Sequence, residues 1–146
     1  MGIIRQQLRL SNIAMPQIEE IDALALVDSG ALELCIPQAI ADRLKLTRLQ
    51  DREVILASGE AKKVPYVGGV RIEVFGRETT VAANVMGDEV LLGAIPMEAM
   101  DLLIHPASRQ LVPNPAHPNI PASLAKGVRP ARMWGDATVR LDEAAR

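Results

Sequence analysis

The clearest alternation of apolar and polar positions lies in VRIEVFG, residues 70–76, where Val70, Ile72 and Val74 fall on one side of a strand and Arg71 and Glu73 on the other. Gly76 and Arg77 then read as a tight turn into a partner strand, ETTVAANVM. Upstream, IIRQQLRLS and EIDALALV predict two strands joined by the loop NIAMPQIE, a hairpin with a long connection. EVILASGEAKKVPYVGG predicts two extended arms around a turn at Ser58-Gly59, and DEVLLG, DLLIHP and RQLVPNP predict shorter strands further on. Two stretches change period. Pro37 suits the first turn of a helix over PQAIADRLKL, in which Ile40 and Leu44 share an apolar face, and IPMEAMD predicts a shorter helix again opened by a proline. The spacing of strands and turns is that of an all-β sandwich or barrel carrying one or two short helices.

Composition narrows this picture. At 146 residues the chain fits one domain, and 49% hydrophobic residues with only 2% aromatics require a core of Val, Ile, Leu, Ala and Met. A chain of this length can bury about 68–70% of its unfolded surface. From about Pro113 the text turns proline-rich and loses strand alternation, which predicts a domain over residues 1–115 and an extended, partly mobile tail over 116–146 outside the core. Within that tail, Trp134 is either an anchor on the domain or unpacked, and DATVRLDEAAR is a short exposed helix or nothing stable.

A formal charge of -2 with interspersed signs offers no basic stripe for a phosphate backbone, so nucleic acid is not expected as a partner. No apolar run approaches the ~18 residues of a membrane span, and MGIIRQQLRLSN reads as a strand and not a signal peptide, so no membrane association is expected. A lone cysteine, Cys35 between Leu34 and Ile36, excludes an internal disulfide, fits a reducing cytoplasm and reads as a small core hydrophobe. His105 and His117 lack ligand spacing, Lys62 and Lys63 read as a solvated face, and nothing suggests a Ser-His-Asp set; no metal site is expected.

One stretch asks for a chemical reason. ALALVDSGALELCIP, residues 23–37, carries Asp28 between two apolar runs, and an acid there costs stability unless it is hydrogen-bonded, paired or protonated. Asp-Ser-Gly alone is a common turn tripeptide. Here it ends a buried strand, followed by a glycine free to take strained dihedrals, which presents a carboxylate from a rigid loop. Downstream, VLLGAIPMEAM places Leu91, Leu92 and Gly93 ahead of a short helix, which by itself is only a strand end.

Taken in order, a strand ending Asp28-Ser29-Gly30-Ala31, a hairpin, a glycine-turned strand pair and then Leu91-Leu92-Gly93 with a helix resemble the retropepsin-like aspartic proteases, including their small bacterial relatives. The similarity spans roughly residues 3–115. It implies a closed β-barrel, half of an acid protease, with the proline-rich tail appended. It also implies a homodimer, because this chain holds a single DSG, and an active site of this type takes one aspartate from each of two copies. Asp28 would then be catalytic on a polypeptide substrate without metal or cofactor. Ser29 would bond across the dyad, Gly30 would free its N–H toward the opposing carboxylate, and Ala31, Leu91, Leu92 and Gly93 would support the loop. Ala57, Ser58, Gly59 and Glu60 would form a flap over the peptide. Viral members follow the second glycine with Arg and Asn where this chain has Ala94 and Ile95, so the dimer contact must differ. The other reading open to the sequence is a non-catalytic dimer of the same fold that binds peptide or mediates interactions.

Overall fold

The structure is a computed structural model and describes residues 3–125 and residue 127. Trp134 and DATVRLDEAAR lie outside the described residues.

Alternating side chains build a barrel. Strand β1 (Ile4–Asn12) buries Leu8 and Leu10, and β2 (Ile21–Val27) buries Ile21, Ala25 and Val27, with the two paired antiparallel from Ile4 opposite Val27 to Leu10 opposite Ile21. A short β3 (Leu34–Ile36) leads into helix α1 (Gln38–Arg43), which Pro37 opens. Then come β4 (Thr47–Ile55) and the long β5 (Ala61–Val74), which form a hairpin, followed by β6 (Arg77–Val85) and the brief β7 (Leu91–Leu92). Helix α2 (Ala94–Ala99) and the two-stranded pair β8 (Leu102–His105) and β9 (Gln110–Pro113) follow.

Hydrogen-bonded neighbours run β1-β2-β7-β3-β6-β5, and β5 returns to β1, so six strands close on themselves while β4, among the described residues, pairs with β5 alone. This is the expected all-β closed barrel, with two short helices among the described residues. Inside it lie Leu10, Leu34, Ile36, Val70, Ile72 and Leu92, with the ends of both helices, Leu44 and Met100, sealing it. Burying side chains of this kind contributes about 1.5–3 kcal/mol each relative to exposure. Asn12, one of few buried polar residues, donates through Nδ2 to the Leu44 and Lys45 carbonyls and so satisfies the end of α1.

Two local details depart from the pattern read along the chain. The turn after β5 is Phe75-Gly76, both with positive φ (55° and 74°), and Arg77 is the first strand residue, opposite Val74. A two-residue hairpin turn matching the strand twist requires positive φ at both central positions, so the turn lies one residue earlier than Gly76-Arg77. Arg77 is consequently buried, 6% exposed, and donates to the carbonyls of Met100, Asp101 and His117. Helix α2 starts at Ala94, two residues before Pro96; the proline falls within the first turn, where the N–H has no helical partner to lose. After β9 the chain returns to Asp101, which accepts from the Asn114 amide at 3.0 Å and the Ala122 N–H at 2.9 Å, with His117 Nδ1 at 2.6 Å. Among the described residues, no helix is long and apolar enough to cross a membrane.

Candidate active site

The two motifs noted in the sequence are 64 positions apart, Asp28 to Leu92, and the barrel sets them side by side. β2 runs parallel to β7, with Leu26 opposite Leu91 and Val27 opposite Leu92, and the Asp28 N–H donates to the Leu92 carbonyl at 3.0 Å. Parallel pairing needs a long crossover, which the rest of the barrel supplies. The carboxylate therefore leaves the sheet at a strand end fixed on one side by Leu91 and Leu92.

The turn itself is held by Asp28. Its Oδ1 accepts the Gly30 N–H at 2.9 Å and its carbonyl accepts the Ala31 N–H at 3.2 Å. A Cβ on Gly30 would stand 3.2 Å from that Oδ1, so a glycine keeps the close approach open. In the single chain the Gly30 N–H is thus committed to its own Asp28. Asp28 is half-buried, while Ser29 and Gly30 are exposed at the tip and Ala31 is half-buried.

Gly93 locks the far side of the loop. A Cβ there would fall 2.3 Å from the Glu33 carbonyl oxygen and 2.8 Å from its nitrogen, distances that no side chain tolerates against backbone. Just beyond it, the first N–H groups of α2, from Ala94 and Ile95, donate to the carbonyls of Ala31 and Leu32 at 2.8 Å each. Helix-start donors that need partners outside the helix thereby become struts for the loop. Leu92 is fully buried behind it, and Leu91 is half-buried.

The β4–β5 hairpin turns at Leu56–Glu60: the Gly59 N–H donates to the Leu56 carbonyl at 2.8 Å and the Leu56 N–H to the Glu60 carbonyl at 2.9 Å. Gly59 has φ +86°, and the Ser58 hydroxyl accepts from the Glu60 N–H. Ala57, Ser58, Gly59 and Glu60 thus form a hairpin tip, as read from the sequence, and all four are exposed. Lys62 and Lys63 are exposed on its returning arm, Lys63 lying 3.6 Å from Asp51.

Glu33 is the residue that reading along the chain did not single out. It sits five positions past Asp28, and its carboxylate faces three strands: the Tyr66 hydroxyl donates to Oε1 at 2.7 Å, and Oε2 lies 3.4 Å from both Arg52 Nη2 and Asn84 Nδ2. The Arg52 guanidinium also stands 4.4 Å over the Tyr66 ring. Burial and the bond to Glu33 hold the Tyr66 hydroxyl above its ordinary titration range. Nearby Cys35 is half-buried, and burial pushes its thiol up, which disfavours the nucleophilic thiolate. The only sequence cue to Glu33 was an acid closely following the DSG turn, indistinguishable there from a solvated one.

A comparison with curated proteins finds no match. A family model does match, over residues 14–98, a span that includes the DSG loop, the hairpin and Leu91-Leu92-Gly93 and ends inside α2. The chain belongs to the family described as gag-polyprotein putative aspartyl protease.

Proposed function

We propose that this protein is a homodimeric aspartic endopeptidase that hydrolyses peptide bonds with a water activated by Asp28 of each subunit. The observation that carries this reading is the β2–β7 pairing, which seats the Asp28 loop on Leu91-Leu92-Gly93 and presents a carboxylate at the rim of a rigid barrel. The chain holds one DSG, so a carboxylate pair takes two copies about a dyad. Leu32 and Ile95 support that assembly: they are 63% and 41% exposed, adjacent through the Ile95 N–H to Leu32 carbonyl bond, and flank the loop where a second copy would cover them. Ile95 stands where viral members carry a polar residue, so this contact would be aliphatic.

The chemistry follows from crowding two acids. At a separation of ~3 Å and an effective dielectric of about 20, two carboxylates would repel by roughly 5–6 kcal/mol, or about 4 pKa units, so the pair keeps one proton near neutral pH. The ionised member takes a proton from the bridging water as its oxygen bonds to the peptide carbonyl carbon. The protonated member donates to the carbonyl oxygen. As the carbon–nitrogen bond breaks, a proton passes to the leaving amine. An extended polypeptide would lie against strand edges, with the Ala57–Glu60 tip closing over it.

Asp28→Asn tests this cleanly, because an asparagine Oδ1 can still accept the Gly30 N–H and leave the turn intact. The expected result is an unchanged unfolding midpoint and dimer, loss of peptide cleavage, and weaker binding of a statine-type transition-state mimic. Specific activity of the wild type should fall on dilution through the dimer dissociation range. A second reading has one observation in its favour: the Oδ1 bond to Gly30 gives Asp28 a structural use without catalysis. For such a peptide-binding or interaction module, no peptide would be cleaved between acid and neutral pH, and the mimic would bind wild type and variant alike.

A further inference from the structure

Glu33 is gripped from two directions. Its main chain rests on Gly93, where no Cβ fits, and the two residues before it are bonded to the start of α2. Its side chain reaches the other way, to Arg52 on β4 and Tyr66 on β5, the two arms of the hairpin that turns at Leu56–Glu60.

The hairpin needs such a hold. Among the described residues β4 pairs with β5 alone, residues Thr47–Asp51 are exposed along its base half, and Ala61–Lys63 are exposed on the other arm next to the tip, so packing covers only part of the hairpin. Both arms also lose regular register near their base: β4 between Arg48 and Gln50, and β5 between Val67 and Val70, where Gly68 and Gly69 fall and Gly69 has φ +74°. Bulges of this kind bend a strand and weaken its ladder. Arg52 and Tyr66 lie just beyond these irregularities on the hairpin side. Glu33 therefore joins a fixed loop to a hairpin immediately past its two soft points.

We propose that Glu33 is a positioning residue that tethers the Asp28 loop to both arms of the β4–β5 hairpin, and that its contacts with Tyr66 and Arg52 set how freely the hairpin swings. This deepens the reading of the hairpin as a cover over bound peptide and rests on it for its functional consequence. The tether itself is a property of the folded chain and is measurable without substrate.

Tyr66 is the sole tyrosine, so near-ultraviolet phenolate absorbance titrates it without interference from another. In Glu33→Gln of the full chain, the Tyr66 hydroxyl should titrate closer to the ordinary tyrosine value. Amide exchange read by mass spectrometry should quicken about threefold to tenfold in peptides covering residues 53–64, in Glu33→Gln and in Tyr66→Phe, while the Phe75-Gly76 turn keeps its wild-type rate. The double variant should exchange no faster than the more mobile single one, since both remove one tether. Unchanged exchange across residues 53–64 in all three variants overturns the proposal. So does a rise shared equally by the Phe75-Gly76 turn, which would mark a general loss of stability. Where peptide is cleaved, Glu33→Gln should raise KM with kcat little changed; hairpin exchange that responds in a protein cleaving nothing upholds the tether and sinks the peptidase reading alone.

Discussion

Adding one methyl group at Gly93 should unseat the Asp28 loop. Gly93 has φ -90° and ψ -175°, a conformation open to any residue, so Gly93→Ala carries no backbone strain and its whole cost is contact. The new Cβ would meet the Glu33 carbonyl oxygen at 2.3 Å, the Glu33 nitrogen at 2.8 Å and the Leu32 carbonyl carbon at 2.8 Å. Unstrained carbon contacts lie at about 3.5–4.0 Å, so the overlap is on the order of 1 Å, and the obstacle is main chain that cannot rotate aside. Forcing the strands apart costs about 1–3 kcal/mol as overpacking. It also stretches the two loop struts from Ala94 and Ile95, worth about 0.5–1.5 kcal/mol each. The expected loss is about 2–6 kcal/mol, a large share of the roughly 5–15 kcal/mol that holds a domain folded. With a mid-range urea slope of about 2 kcal/mol/M, the unfolding midpoint should drop by about 1–3 M. Gly59→Ala is the control: it sits at φ +86° with nothing within 4 Å, and should cost only about 1–2 kcal/mol through its dihedral. A Gly93→Ala midpoint equal to wild type, or no lower than that of Gly59→Ala, refutes the packing argument.

Leu92→Ala, at a fully buried position behind the same loop, should destabilise by about 2–5 kcal/mol in the same titration. Phe75→Asn should raise the unfolding midpoint slightly, by about 0.5–1 kcal/mol, because phenylalanine occupies a positive-φ turn position with nearly half its surface exposed, whereas asparagine adopts that conformation readily; a lower midpoint would show that packing of the ring outweighs turn strain. Asp101 is held below the usual carboxylate range by the Ala122 N–H, the Asn114 amide and His117. A depressed folded value means the anchoring is complete above the unfolded value of about 3.9 and is lost as pH falls through the lower folded one. Limited proteolysis at residues 114–122 should therefore stay slow at neutral pH, accelerate only in acid below about pH 4, and be fast at neutral pH in Asp101→Asn; a variant as protected as wild type at pH 7 contradicts the anchoring.

Much of this protein is written locally. Val70, Ile72 and Val74 alternate with charged residues, and all three are buried in the barrel, because a strand's period of two needs no distant information. The hairpin around Ser58-Gly59 and the helix opened by Pro37 are equally local, each resting on one or two residues with restricted or permissive dihedrals. The order DSG, hairpin, LLG was legible as well, and with it the family. Arg77 reads as a turn residue for an equally local reason: Phe-Gly is an unusual positive-φ pair, so residue preferences start the turn at the glycine, one position late.

Sequence alone determined the strand-rich class, the family and the residues that could carry chemistry, since these depend on side-chain periodicity and on short motifs. Tertiary structure decided which of those residues meet. Only ring closure through β1 and β5 sets Leu92 against Asp28, only the missing side chain of Gly93 lets Glu33 rest there, and only the return of the chain from β9 turns Asp101 into an anchor. Glu33, Arg52, Tyr66 and Asn84 are spread over 51 positions, and nothing near any one of them announces the others. Contacts of that separation form because the closed barrel has already spent its chain entropy elsewhere, and their geometry is a property of the closure and not of the segments it joins.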